Sequence, residues 1–153
     1  MAKAGYTAST GAAVALSAAT AKTVLNVITP AQFGLDLVSF ELAFDGVTAT
    51  AVPVLVELCS STQGAAGTST AGTVNQVYGR SITAGFTTAY NYTAEPTTLT
   101  AIDSFLLTPV GGCIIRDFPL GQTYDIGVSA GLAMRLTAPA AVNCRATAKF
   151  ERC

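Results

Sequence analysis

The sequence predicts an all-β fold, an antiparallel β-sandwich or jelly-roll-like domain of about seven to nine strands. Three observations carry this. Apolar and polar residues alternate with period two in several segments, turn-forming residues recur at roughly ten-residue spacing, and no segment keeps a convincing helical period. The 153 residues fit one domain spanning 1–153.

From the start of the chain, residues 1–12 are Gly-, Ser- and Thr-rich and read as a flexible, partner-gripping N-terminal arm. Ala12 to Ala21 is Ala-rich, but its Ser and Thr content leaves at most a helical turn or two. Lys22 to Ile28 is a β-branched run stopped by Pro30. Val38, Phe40, Leu42 and Phe44 alternate with Ser39, Glu41 and Ala43, and Asp45-Gly46 supplies a turn. Val52, Val54, Val56 and Leu58 give the next apolar face, with Pro53 marking an edge, a strand start or a bulge.

Residues 60–73 hold Ser, Thr, Gly, Ala and Gln without apolar periodicity and read as a long mobile loop. Val74 to Tyr78 and Ile82 to Tyr90 are weaker strand candidates; Thr97 to Leu107 and Cys113 to Phe118 are stronger ones. Near the end, Val128, Ala130, Leu132, Met134 and Leu136 form one apolar face. Val142, Cys144, Ala146, Ala148 and Phe150 form another, with a connection through Pro139. Segments 35–58 and 126–151 share a hairpin-like pattern, but they are not a repeat.

Composition narrows the function. Half of the residues are apolar and only 11% are charged, against about 25% in an ordinary domain. Mean hydropathy is +0.49. So little charge covers a monomer's surface poorly and points to a subunit of a larger assembly. No apolar run approaches the roughly 20 residues of a spanning helix. A transmembrane barrel would need aromatic girdles, which a chain without Trp does not supply. The weakly apolar stretch Gly11 to Ala19 does not make a convincing export signal. A net charge of −1 gives no electrostatic footprint for nucleic acid, and Arg145, Lys149 and Arg152 read as a solvated strand face.

The search for chemistry finds little. There is no histidine, so the commonest general base and zinc ligand are missing. The nine acids are scattered, and Glu41, Glu57 and Glu151 fall on polar strand faces. A paired-carboxylate glycosidase would also want aromatic platforms. Cys59, Cys113, Cys144 and Cys153 lack zinc-site spacing. They read as reduced thiols, with two disulfides as the alternative if the chain is exported. Cys144 reads as a small buried hydrophobe and Cys59 as a strand end. Gly111-Gly112 lacks the Lys of a phosphate loop and reads as a turn. No catalytic residue, metal site or cofactor is expected. Tyr78, Tyr90 and Tyr92 are the one aromatic concentration, either a glycan or partner contact or plain sheet packing.

Several stretches carry a resemblance. They are Ala18 to Val27, Phe44 to Leu58 with its strand, Asp-Gly turn and returning strand, Leu136-Thr137-Ala138-Pro139, and the ending Phe150-Glu151-Arg152-Cys153. Together they resemble small virion proteins of tailed bacteriophages, of the head decoration (cement) type, over roughly residues 20–153. The resemblance implies a non-enzymatic capsid-exterior protein assembled in the host cytoplasm. Its implied partners are its own copies, as a homotrimer, and the major capsid protein, with no direct contact to nucleic acid or membrane. The alternatives are a tail structural protein, or a secreted carbohydrate-binding or adhesion module using Tyr78, Tyr90 and Tyr92.

Overall fold

The computed structural model describes residues 3–45, 52–62 and 68–153. Thirteen strands and no helix occur among them. In chain order they are Gly5–Ser9 (β1), Val14–Leu16 (β2), Ala21–Ile28 (β3), Leu35–Phe44 (β4), Val54–Thr62 (β5), Thr68–Ala71 (β6) and Thr73–Tyr78 (β7). Then follow Thr87–Ala94 (β8), Leu99–Leu107 (β9), Cys113–Asp117 (β10), Tyr124–Ile126 (β11), Ala130–Thr137 (β12) and Val142–Arg152 (β13). They form two antiparallel sheets. One has the order β10-β4-β13-β1-β7, with β11 on β4 and β2 on β13; the other runs β6-β8-β3-β12-β5-β9. The all-β sandwich expected from the alternation is what forms.

The alternation works because side chains on a strand point to opposite faces, so one face can be buried while the other stays wet. On β13, Val142, Cys144, Ala146, Ala148 and Phe150 are all buried. Facing them are Val54, Val56 and Leu58 of β5 and Leu132, Met134 and Leu136 of β12, in one continuous core. Burial at this scale, at about 25 cal/mol per Å² of apolar surface, is the main favourable term in folding.

Register shifts adjust the pattern in five ladders, and two of them bear on the core residues of β3 and β4. Leu37 pairs with Phe150 and Ser39 with Lys149, which leaves Val38 unopposed. The extra residue shifts the phase, so Leu35 and Leu37 face the core before the bulge and Phe40 and Leu42 after it. Leu37 therefore takes the core position that simple alternation gives to Val38. In β3, Val24 is the unopposed residue between Thr23 and Leu25.

The connections depart further from expectation. No described strand pairs with its neighbour in sequence. The segments with a hairpin pattern are arches: β4 and β5 lie in different sheets, and so do β12 and β13. Apolar alternation says that a strand has a buried face, but not which sheet it joins. Gly46 of the expected Asp45-Gly46 turn lies outside the described residues.

Of the arm expected over residues 1–12, the described part, residues 3–12, is not free but holds a strand. β1 is inserted between β13 and β7, and Tyr6 and Ala8 are buried. The Tyr6 ring lies edge-on to Phe86 at 5.5 Å, and its hydroxyl donates to the Ile82 carbonyl at 2.9 Å. Five residues are too few for their alternation to stand out in the sequence. The chain after β7 is also fixed to this strand, because a side chain at Gly79 (φ +94°) would meet the Lys3 carbonyl at 2.5 Å. Only glycine combines that backbone angle with so close an approach.

The expected loop over 60–73 is corrected in the same way. Residues 60–62 continue β5, Thr68–Ala71 is β6, and Thr73 begins β7; residues 63–67 lie outside the described residues. β6 is exposed throughout. A strand held only by backbone hydrogen bonds buries no face and leaves no period-two mark. Smaller corrections follow. Ala12 to Ala21 contains the strand β2 rather than helical turns, and residues 82–86 precede β8 instead of joining it. Val52 and Val128 lie outside strands and are exposed. Cys59 lies buried inside β5, not at its end. The strand total exceeds the expected seven to nine because β1, β2, β6 and β11 are short or exposed.

The insertion of β1 yields a direct expectation. Tyr6→Ala should lower unfolding free energy by about 3–5 kcal/mol in urea titration, as for other buried aromatics. A freely moving arm would give a change within about 0.5 kcal/mol.

Candidate functional site

The polar side chains of the sandwich are used mainly to fasten strands to one another. On one narrow side, Asp103 of β9 accepts hydrogen bonds from Arg116 of β10 at 2.6 Å and from the Tyr124 hydroxyl of β11 at 3.1 Å. This carboxylate therefore ties one sheet to the other. Burial and the Asp103 carboxylate together raise the Tyr124 pKa. Within the six-stranded sheet, Arg135 donates to Glu57 at 2.9 Å across β12 and β5. Glu95 accepts from the Thr23 amide at 2.7 Å and from its hydroxyl at 2.5 Å.

A second group fixes the approach to β1. Lys3 Nζ lies 2.9 Å from Glu151 and 3.3 Å from Asp36. The Tyr78 hydroxyl donates to Glu151 at 2.7 Å. These contacts follow from register, since Gly5 is opposite both Tyr78 and Glu151, and Glu151 is opposite Asp36. The missing side chain of Gly5 leaves room for the Tyr78 ring. Hydrogen bonds from Lys3 and Tyr78 hold the Glu151 pKa below the usual carboxylate range. Burial, with Glu151 second, pushes Tyr78 up to about 12.

The three tyrosines do not form one platform. Tyr78, 47% exposed, stands on the edge strand of the seven-stranded sheet. Tyr90 is half-buried against the core between the sheets. Tyr92 is only 4% exposed, and its hydroxyl accepts a hydrogen bond from Asn26 at 3.0 Å. Closeness in sequence does not unite them: β7 and β8 belong to different sheets, which separates Tyr78 from the other two, and on β8 Tyr92 is buried. A cleft of about 350 Å³ beside Tyr92 is lined by Ser17, Thr20, Ala21, Lys22, Thr93 and Glu95. Its charged groups already have partners in the chain: Lys22 donates to the Ala15 carbonyl at 2.9 Å, and Glu95 holds Thr23.

One group of side chains has the composition of a metal site. Ligand atoms of Asp36, Asp125 and Cys153 lie within 4.8 Å of one another. Asp125 and Cys153 are exposed, however, and the Lys3 ammonium already serves Asp36. All four cysteines are free. Cys144 is buried in the core as its alternation predicts, and burial pushes its thiol pKa up to about 12.

What sequence reasoning missed is the exposed apolar set. Val77, Ile82, Ile102, Leu106, Ile115 and Leu120 all project into solvent. The signal was present in the adjacent pairs Leu106-Leu107 and Ile114-Ile115. Two neighbouring apolar residues on a regular strand point to opposite faces, so one of them leaves the core unless a bulge intervenes. No protein-family model, curated protein or solved structure matches the chain.

Two outcomes test this description. In the folded protein, Cys113 and Cys153 should react with a thiol reagent while Cys59 and Cys144 do so only on unfolding; Cys113 should be the faster, because burial raises the Cys153 pKa. Glu151 has a lowered folded pKa, so its stabilising contribution is full above the unfolded carboxylate pKa and is lost as pH falls through the folded value. Glu151→Gln should therefore lower stability at neutral pH and flatten the acid limb of the stability–pH curve. An acid limb identical to the parent's would refute the role given to the Lys3–Glu151–Tyr78 group.

Proposed function

We propose that this chain is a virion structural protein of the head decoration type, which binds and stabilises an assembled capsid through protein–protein contacts. The observation that carries the reading is the combination of a closed, well-packed sandwich with large apolar side chains exposed along its strand edges and connections. Large apolar side chains left exposed on a chain with so little charge suit a surface that neighbouring subunits cover. The polar networks support the same view, since their charged groups brace strands and sheets. No catalysis is part of this reading. The low charge and the resemblance to phage virion proteins point in the same direction. The carbohydrate-binding alternative draws no support from Tyr78, Tyr90 and Tyr92, which share no surface.

Mass spectrometry of separately purified heads and tails should find the chain in the head fraction at stoichiometric levels. Purified protein should bind mature heads depleted of it and raise their resistance to heat. Absence from both particles would overturn the proposal; presence in tails alone would replace it with the tail reading.

A further inference from the structure

Three buried residues stand apart from the core. Cys59 and Ala133 are 0% exposed and Tyr92 is 4% exposed, yet none of them belongs to the cluster packed between the sheets. Ala133 of β12 is opposite Asn26 of β3 on one side and Cys59 of β5 on the other. Asn26 sits between the core residues Leu25 and Val27, so its own side chain points away from the core. The row Asn26–Ala133–Cys59 therefore lies on the outer face of the six-stranded sheet. That face of a two-layer sandwich is wet unless a further segment covers it.

The connection from β8 to β9 supplies the cover. Those two strands have β3, β12 and β5 between them in the sheet, and only the four residues Glu95 to Thr98 join their ends. β8 parts from β3 after Tyr90, where Asn91 takes a φ of +53°. Beyond that bend the Tyr92 hydroxyl accepts from Asn26 at 3.0 Å, and Glu95 accepts from the Thr23 amide and hydroxyl, all on β3. Pro96 is buried, and the Thr98 hydroxyl lies 2.8 Å from that of Thr62 on β5. Thr23 is opposite Arg135 and Thr62 is opposite Ala130, so the anchors stand near opposite ends of β12. Residues 92–98 thus run as a diagonal strap across the outside of β12.

We propose that this strap closes only after β12 has entered the sheet, and that it opens as a unit while the sandwich stays folded. The order of closure follows from sequence and topology together. β12 comes after the strap in the chain, yet it fills the place between β3 and β5 beneath the strap. A strap already fastened to both of those strands would force β12 to thread under it. Folding chains avoid threading through loops, so at least one end of the strap is fastened last.

Opening as a unit follows from how the strap is held. Tyr92 and Pro96 are its buried residues, whereas Thr93, Ala94, Thr97 and Thr98 are exposed. The remaining fastening is polar, through Asn26, Thr23 and Thr62. Asn26 Oδ1 and, two residues along the same face from Cys59, Ser61 Oγ are buried with no hydrogen-bond partner among the described residues. Opening returns both atoms to water, which offsets part of what the broken contacts cost. A segment with so little buried apolar surface opens at a lower free energy than the whole domain unfolds.

The test uses the intact chain and two variants that loosen the strap, Glu95→Ala and Tyr92→Phe, in stopped-flow unfolding and refolding. Contacts made after the rate-limiting step change the unfolding rate alone. Glu95→Ala should raise that rate about ten-fold or more and Tyr92→Phe about five-fold, with both refolding rates equal to the parent's. In folded Glu95→Ala protein, Cys59 should become reactive to a thiol reagent while Cys144 stays protected and far-UV circular dichroism matches the parent's; in the parent both thiols stay protected. Should Glu95→Ala fail to fold, Tyr92→Phe carries both measurements. Refolding slowed by the factor that stability falls, with unfolding unchanged, would place the strap in the folding nucleus and overturn the order of closure. Exposure of Cys59 only together with Cys144 would overturn opening as a unit.

Discussion

The ladder between β4 and β13 is the contact on which the rest of the sandwich depends. It joins Leu35–Phe44 to Val142–Arg152 across about a hundred residues of sequence, with nine pairs from Cys144–Phe44 to Arg152–Leu35. β13 also holds β1 and β2 on its other edge, and β4 holds β10 and β11 on its own. The side chains that this ladder points inward, from Leu35 and Phe40 to Ala148 and Phe150, form one wall of the core. Because every described pairing skips the neighbouring strand, each ladder must first overcome the entropy of closing a long loop. Domains built from such non-local pairings fold slowly. The bulge at Val38 belongs to the same contact: without the shift it introduces, Leu35 and Leu37 would leave the core side.

Charge is scarce in this protein, and much of it is placed where geometry alone would leave strands loosely held. Asp103 joins the two sheets through Arg116 and Tyr124. Lys3 and Glu151 fix the entry to β1, and Arg135 and Glu57 join β12 to β5. Exposed ion pairs of this kind contribute little stability individually. Their value lies in setting register on a surface dominated by Thr, Ala and Ser, where apolar packing distinguishes poorly between neighbouring registers. Arg80, Asp117 and Asp125 form none of these ion pairs, and neither do Glu41, Arg145 and Lys149 on the inner strands β4 and β13.

The sequence by itself determined the fold class and most of the core. Period-two alternation is a local property, and wherever a strand has one buried face it is written directly into residue order, as in Val142 to Phe150 or Val54 to Leu58. The position of Cys144 in the core was legible for the same reason; Pro53, read as an edge, a strand start or a bulge, immediately precedes β5. Local signals failed where pairing has no local trace. β1 is held by strands far away in sequence, and β6 buries no face. Which sheet each strand joins is likewise set by what it packs against. Only the tertiary structure could separate Tyr78 from Tyr90 and Tyr92, or bring Arg80 and Asp125 to opposite edges of one sheet. Those placements depend on ladder order, which is fixed by contacts between distant segments and not by the chemistry of any one of them.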